Sequence, residues 1–101
     1  MPKRPSMKAY VVGDVHVQNP ERYAEYRAQV LATIEKYGGR FLVRGGDVRV
    51  MEGDWKPNRI VVIEFPDMAA LDAWYESNEY APLIKLRKSA SEGSLLAVQG
   101  V

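Results

Sequence analysis

The chain has 101 residues, of which 47% are hydrophobic and 27% charged, a composition typical of one folded domain rather than of a disordered segment. Its 14 lysines and arginines nearly balance 13 acidic residues, which argues against a surface built to bind nucleic acid. There is no cysteine, which excludes disulfides and thiolate chemistry and fits a cytoplasmic protein. No apolar run approaches the roughly 20 residues of a membrane helix.

Residues 1–6 are basic but are not followed by the apolar core of a secretory signal. They predict a flexible leader before a single domain over 7–101. The first patterned segment, Met7–Val17, alternates with a period of two and predicts a β-strand.

A helix is predicted after this strand. Asn19 and Pro20 form its start signal, and Gly38 and Gly39 end it. The apolar stripe of this helix, at helical spacing, consists of Tyr23, Tyr26, Val30, Ile34 and Tyr37.

A long β-hairpin comes next. Its first arm is predicted at Arg40–Met51, with a bulge at Gly45–Gly46, because glycine inside a strand often marks a bulge. A loop over 52–58, rich in turn formers, leads to the second arm at Arg59–Phe65.

Two further helices and a strand complete the pattern. Asp67 is the predicted N-cap of a helix over Met68–Ser77, Tyr80–Ser89 predicts a short helix, and Ser94–Gln99 predicts the last strand. The inward side chains of the helix after Asp67 are predicted to be Leu71, Trp74 and Tyr75.

The order of elements, βαββαβ with an added helical turn, predicts an α+β fold. Right-handed crossovers give a four-stranded antiparallel sheet with the helices on one face, the ferredoxin-like plait. Alternation assigns to the helix-covered face Val11, Val15, Val43, Val61 and Ile63. It assigns to the open face Tyr10, Val12, Asp14, His16, Arg40, Leu42, Arg44, Ile60, Val62, Glu64, Leu96 and Val98. An open face this apolar predicts a homodimer in which two sheets pack together.

Four stretches of the sequence carry a resemblance to a known family: "AYVVGDVHVQNPERYAEY", "GGRFLVRGG", "EGDWKPNRIVVIEFPD" and "AWYESNEYAPLIKLR". From Met7 onward the chain resembles a family of small bacterial proteins that is described only as a domain of unknown function, within the dimeric α+β-barrel superfamily. The resemblance implies a ferredoxin-like fold and a homodimer whose sheets close into a barrel, but no particular reaction. Superfamily relatives include cofactor-free monooxygenases, muconolactone isomerases and heme-dependent enzymes, with ligands in the cavity between sheet and helices.

Arg44 is the leading candidate for ligand binding, because a planar guanidinium suits carboxylates and developing oxyanions. By alternation it lies on the open face near Glu64 and Asp14, and a simple ion pair with Glu64 is the alternative explanation. His16 is the only histidine and the candidate general acid or base, with Asp14 close enough to tune it.

Tyr10 and Tyr80 are predicted to shape a pocket, with Arg87 nearby, although aromatic residues at helical spacing more often belong to the core. His16 with Asp14 and Glu64 lacks the spacing of a metal site, and nothing but position favours a heme. We therefore predict no metal and no cofactor.

Three functional hypotheses follow from these residues. The first is a cofactor-free site that acts on a small carboxylate or phenolic compound by proton transfer or isomerisation. The second is a non-catalytic dimer, a binding or stress-related accessory protein, in which Arg44 and Glu64 only satisfy each other. RNA binding is a disfavoured third, because the open face lacks the aromatic residues on which such domains stack bases.

Overall fold

The computed structural model describes residues 7–101, and the predicted leader lies outside them. The elements are β1 (Ala9–Val17), α1 (Pro20–Lys36), β2 (Arg40–Arg44), β3 (Arg59–Phe65), α2 (Met68–Tyr75), α3 (Ala81–Ala90) and β4 (Ser91–Gln99). The strands form one antiparallel sheet in the order β2-β3-β1-β4. This is the predicted ferredoxin-like plait, with the helices on one face of the sheet.

Both predicted helix starts are confirmed by their caps. The Asn19 side chain accepts a hydrogen bond from the Arg22 backbone N–H at 3.1 Å, and Asp67 accepts one from the Ala70 N–H at 2.7 Å. Each cap satisfies a backbone donor that the first turn of a helix leaves free. Gly38 follows α1 in the left-handed region, with φ of +81°, which ends the helix as predicted.

The core lies between the helices and the covered face of the sheet. Its buried apolar residues are Ala9, Val11, Val15, Tyr23, Tyr26, Val30, Ile34, Val61, Ile63, Phe65, Leu71, Trp74, Tyr80, Leu83 and Ala90. Trp74 stacks on Tyr80 with ring centroids 4.1 Å apart, and its indole N–H donates to Thr33 Oγ1 at 3.0 Å. Tyr75, predicted to face inward, is 40% exposed, because one helix face cannot bury two adjacent side chains.

The pairing of β2 with β3 contains a β-bulge. Phe41 pairs with Ile63 and Val43 pairs with Val62, so Leu42 is an extra residue without its own partner. An extra residue of this kind bends the strand and reverses the facing of the residues that follow it.

The bulge overturns two predicted placements. Val43 lies on the open face, and Arg44, paired with Val61, faces the helices. Both errors come from assuming regular alternation through β2. The strand also ends at Arg44 rather than at Met51, where Gly45 turns the chain with φ of +73°. Residues 45–58 therefore form one long loop, and the predicted bulge at Gly45–Gly46 is a strand end.

The loop is fastened to the open face through Asp14. This carboxylate accepts hydrogen bonds from the Trp55 indole N–H and from the Asn58 backbone N–H, both at 2.9 Å. The surrounding open face remains apolar. Its exposed or half-buried apolar residues include Val12, Leu42, Val43, Ile60, Val62, Leu96 and Val98. Across residues 7–101, the helices are all too short or too polar to cross a membrane.

Candidate functional site

A narrow cavity of about 30 Å³ lies between the helices and the covered face of the sheet. Space of this size accepts one or two water molecules, or a group as small as a carboxylate. Its walls are almost wholly apolar and aromatic: Val11, Val15, Tyr23, Tyr26, Val30, Phe41, Val61, Ile63, Trp74, Tyr80 and Leu95. Four arginines complete the lining: Arg27, Arg44, Arg59 and Arg87.

Arg27 and Arg59 lie close enough to Arg44 for their charges to act on it, and Arg87 lies beside Tyr80. Arg27 is exposed, and the other three arginines are half-buried. Arg44 is the last residue of β2, and Arg59 is the first of β3, paired with Val15 near the end of β1. Arg27 comes from the middle of α1, and Arg87 from the last turn of α3. The Ala90 carbonyl, at the end of α3, accepts a hydrogen bond at 2.9 Å from the backbone N–H of Gln18, which follows β1. The end of α3 therefore lies near the end of β1.

These guanidinium groups are not neutralised by acidic side chains. The ion pairs within the described part of the chain involve other cations. Arg44 donates from Nη2 to the backbone oxygen of Arg27 at 3.0 Å and stacks 4.2 Å above the Phe41 ring centroid. The Nε atoms of Arg59 and Arg87 are buried without a hydrogen-bond acceptor. A buried donor without a partner costs about 1–3 kcal/mol, so the cavity would gain from an acceptor.

The effect of the neighbouring arginine charges is clearest in the pKa of Arg44. Burial, followed by the neighbouring charges of Arg27 and Arg59, lowers the pKa of Arg44. A guanidinium nevertheless stays protonated at neutral pH. The part of the cavity around Arg44 is therefore a concentration of positive charge that an anion would relieve.

Gly45 makes room for one of these arginines. A Cβ atom at this position would collide with the Arg59 guanidinium, which packs against the Gly45 backbone. Arg59 Nη2 also lies 3.4 Å from the carbonyl oxygen of Arg44, to which it donates. The glycine after β2 thus serves the site by letting Arg59 lie across the strand end.

A pair of buried hydroxyl groups lies in the same cavity. The Tyr26 and Tyr80 oxygens are 2.8 Å apart and share a hydrogen bond. Burial is the main cause that raises the pKa of both phenols. The two groups therefore remain protonated well beyond neutral pH and act as hydrogen-bond donors rather than as bases.

The structure divides the predicted site residues between the two faces of the sheet. Three line the cavity: Arg44, Tyr80 and Arg87. Four lie on the open face: Tyr10, Asp14, His16 and Glu64. His16 is exposed near the end of β1. Because the sheet separates the two groups, a ligand held by Arg44 cannot contact His16 of the same chain.

The predicted contact between Arg44 and Glu64 does not form. Glu64 instead accepts hydrogen bonds from Arg40 at 3.0 Å and from Lys8 at 3.4 Å. Desolvation raises the pKa of this carboxyl, but the two hydrogen bonds outweigh it and hold the pKa below its usual range. The Asp14 carboxylate also has partners already, because its two oxygens accept the hydrogen bonds that hold the loop.

Sequence reasoning missed Arg27, Arg59 and Tyr26 as site residues. For Arg59 a signal exists, because it shares the period-two face of Val61 and Ile63, which were predicted to face the helices. Tyr26 was placed on the buried stripe of its helix and interpreted as core alone. Arg27 follows Tyr26 at the margin of that stripe, and its position carries no such signal.

Solved structures show what the fold is similar to. A protein of unknown function from Rhodopseudomonas palustris superposes with a TM-score of 0.78 at 19% identity, over 97% of this chain and 85% of that one. SnoaB, a cofactor-independent oxygenase from Streptomyces nogalater, gives a TM-score of 0.64 at 16% identity, over 95% of each chain. A Bacteroides thetaiotaomicron protein of unknown function, described as a possible oxidoreductase, gives 0.60 at 17% identity, over 96% and 100%. At these identities the likeness concerns the fold alone.

A comparison with curated proteins finds no significant match. The model of one family does match, over residues 8–101, which is nearly all of the chain. This confirms the predicted resemblance to a family of unknown function, and the superpositions agree with the predicted α+β fold. The chain therefore belongs to the family described as the domain of unknown function DUF1330.

Proposed function

We propose that this protein is a homodimeric small-molecule-binding protein. Its arginine-lined cavity binds a small carboxylate or phenolic compound through the anionic group of that compound. The observation that carries the proposal is the uncompensated cluster of Arg27, Arg44, Arg59 and Arg87, two of which keep buried Nε donors without acceptors. A carboxylate supplies both the negative charge and the acceptor oxygens that this cluster lacks.

Proton transfer or isomerisation is the chemistry that we assign to the site. Tyr26 and Tyr80 stay protonated and face the space that the ligand would fill, where they stabilise negative charge that develops on a ligand oxygen. An isomerisation of this kind needs no electron acceptor. Because the described residues of the cavity lining include neither a histidine nor a carboxylate, a base from solution takes up the proton released from carbon. The likeness to SnoaB, a cofactor-independent oxygenase, supports the idea that this fold accommodates cofactor-free catalysis.

Homodimerisation belongs to the proposal because of the open face. Val43, Leu96 and Val98 are 39%, 56% and 46% exposed there, and a second sheet would cover them. A catalytic role for His16 and Asp14 stays a prediction, and it would operate at that interface rather than in the cavity. A cytoplasmic location also stays a prediction from the sequence.

A non-catalytic binding protein is the second candidate, and one observation favours it. Among the described residues, the cavity lining includes neither a histidine nor a carboxylate, so it has no ordinary base that titrates near neutral pH. Binding without turnover is the outcome that distinguishes this candidate from the enzyme.

Thermal unfolding in the presence of small carboxylates and phenols tests the binding site. A ligand at about one hundred times its dissociation constant stabilises the native state by roughly 2.7 kcal/mol. For a domain of this size that raises Tm by roughly 10–20 °C. We expect the rise in the native protein and its loss in Arg44→Met, which keeps an unbranched apolar stem but removes the guanidinium and its charge.

Arg40→Met is the matched control. Arg40 lies on the same strand but pairs with Glu64 on the opposite face, so its loss should leave the ligand-induced rise intact. Equal loss of the rise in both variants would show that the effect is general electrostatics. If no carboxylate or phenol raises Tm in the native protein, the proposed site is wrong.

A further inference from the structure

The Tyr26–Tyr80 pair contains a proton without an assigned acceptor, and the inference built on it rests on the proposed function. Two hydroxyl groups carry two protons, and their mutual hydrogen bond uses one of them. The second proton has no protein acceptor among the hydrogen bonds of residues 7–101. Tyr80 is fully buried and Tyr26 is 7% exposed, so bulk water does not readily satisfy it.

The same part of the cavity is rich in donors and poor in acceptors. Arg87 lines the cavity with Tyr80, and its buried Nε also lacks an acceptor. Guanidinium groups donate only. A ligand hydroxyl can also accept this proton, but it adds a donor of its own beside phenol oxygens that already interact with each other and with Arg87. A carbonyl or enolate oxygen accepts without donating.

We infer that the ligand is a small oxo acid, whose carboxylate lies against the arginine cluster and whose carbonyl oxygen accepts the free proton of the Tyr26–Tyr80 pair. The cavity, about 30 Å³, accepts a group of carboxylate size, so even a compact oxo acid with its two oxygen functions close together requires the lining side chains to move apart. When a base from solution takes up the proton released from carbon, the same hydroxyl pair donates to the enolate oxygen that forms, which is the intermediate of an isomerisation by proton transfer.

Three acids with the same carbon skeleton test this inference: pyruvate, lactate and propionate, which carry an oxo group, a hydroxyl group and hydrogen at the second carbon. We expect pyruvate to bind at least about tenfold more tightly than propionate, because a site built to donate hydrogen bonds discriminates against a ligand without the acceptor. Lactate should gain no comparable advantage. Dissociation constants come from titration calorimetry.

Tyr26→Phe and Tyr80→Phe should each reduce the preference for pyruvate over propionate to less than about threefold, with little change in propionate binding. Tyr75→Phe is the control, because Tyr75 lies on α2 outside this cavity. A readout independent of the variants is the carbon-13 shift of the hydroxyl-bearing ring carbons of Tyr26 and Tyr80. Pyruvate should move these signals, and propionate should not.

The outcomes separate the two proposals. If all three acids bind alike and the tyrosine signals do not move, the oxo-acid inference is wrong while the arginine site stands. If lactate binds as tightly as pyruvate, the acceptor-only argument fails. If none of the three acids binds, the oxo-acid inference is wrong, and the proposed function is decided separately by the thermal-unfolding screen of carboxylates and phenols.

Discussion

Arg44 occupies a position where a positive charge is costly and where its neighbours do not offset that cost. It stacks on Phe41 and donates to one backbone oxygen, but the charges beside it, on Arg27 and Arg59, are of the same sign and help to lower its pKa. Arg44 is half-buried, and an arginine that is taken out of water for a purely structural role normally has a carboxylate partner. The missing partner at this residue is the reason to expect a ligand.

The tyrosine pair gives a prediction about alkaline pH. Because the pKa values of Tyr26 and Tyr80 are raised in the folded state, the unfolded chain releases these protons first, from about pH 10. Their stabilising contribution is complete below pH 10 and is lost as pH rises above it. The free energy of unfolding should fall by about 1.4 kcal/mol per pH unit for each such tyrosine.

Urea unfolding between neutral pH and pH 11 measures this slope. Tyr26→Phe removes one of the two phenols and should flatten it by about half, whereas Tyr75→Phe, on the exposed side of α2, should leave it unchanged. Identical slopes in the native protein and Tyr26→Phe would mean that this pair does not govern alkaline stability.

At the scale of elements, the bulge in β2 accommodates the extra residue Leu42 and so lets Arg44 face the candidate site. With regular pairing, Arg44 would face the opposite side of the sheet, where sequence alternation had placed it. The extra residue at Leu42 turns it toward the helices. Gly45 then ends the strand and leaves space for Arg59, so two neighbouring irregularities bring two arginines together.

Deletion of Leu42 tests the role of the bulge. The flanking residues Phe41, Val43 and Arg44 already form the pairs that a regular strand would make without Leu42. We expect the deletion to cost less than about 2 kcal/mol of unfolding free energy and to keep the carboxylate-induced rise in Tm. Loss of that rise, with the fold intact by circular dichroism, would contradict the assignment of the bulge.

The elements also show how far the sequence alone leads. The caps at Asn19 and Asp67 and the bounds of β3 were predicted residue for residue, because local hydrogen bonding and alternation determine them. The facing of Arg44 was not predictable in this way. Leu42 is an ordinary aliphatic residue that gives no local sign of a bulge, and the nearby glycines drew the prediction to the wrong position.

For the whole molecule, the sheet has one face covered by helices and one face covered only in part, by the loop that Asp14 holds. The predicted site residues were taken as one group, but tertiary structure separates them across the sheet, with Arg44 and Tyr80 on one side and Asp14 and His16 on the other. Alternation assigns residues to the two faces of the sheet. The face on which Arg44 lies, however, follows only once the bulge at Leu42 is known.

Self-association through the open face is the prediction at this scale. Leu96→Lys places a charge on that face and should shift the protein from dimer to monomer in sedimentation equilibrium. Leu31→Lys is the matched control, because Leu31 is also exposed but lies on α1, on the other side of the molecule. A monomeric native protein, or equal dissociation by both variants, would rule out the proposed interface.

The most direct test of the arginine cavity is nitrogen-15 NMR of the arginine Nε–H groups during titration with pyruvate. Arg59 and Arg87 have buried Nε donors without acceptors, whereas Arg40 already donates its Nε–H to Glu64 and serves as an internal reference. We predict saturable shifts for Arg59 and Arg87, slower exchange of their protons with water, and no saturable change for Arg40. Signals that stay still, or that shift equally at all three residues, would contradict a ligand site in this cavity.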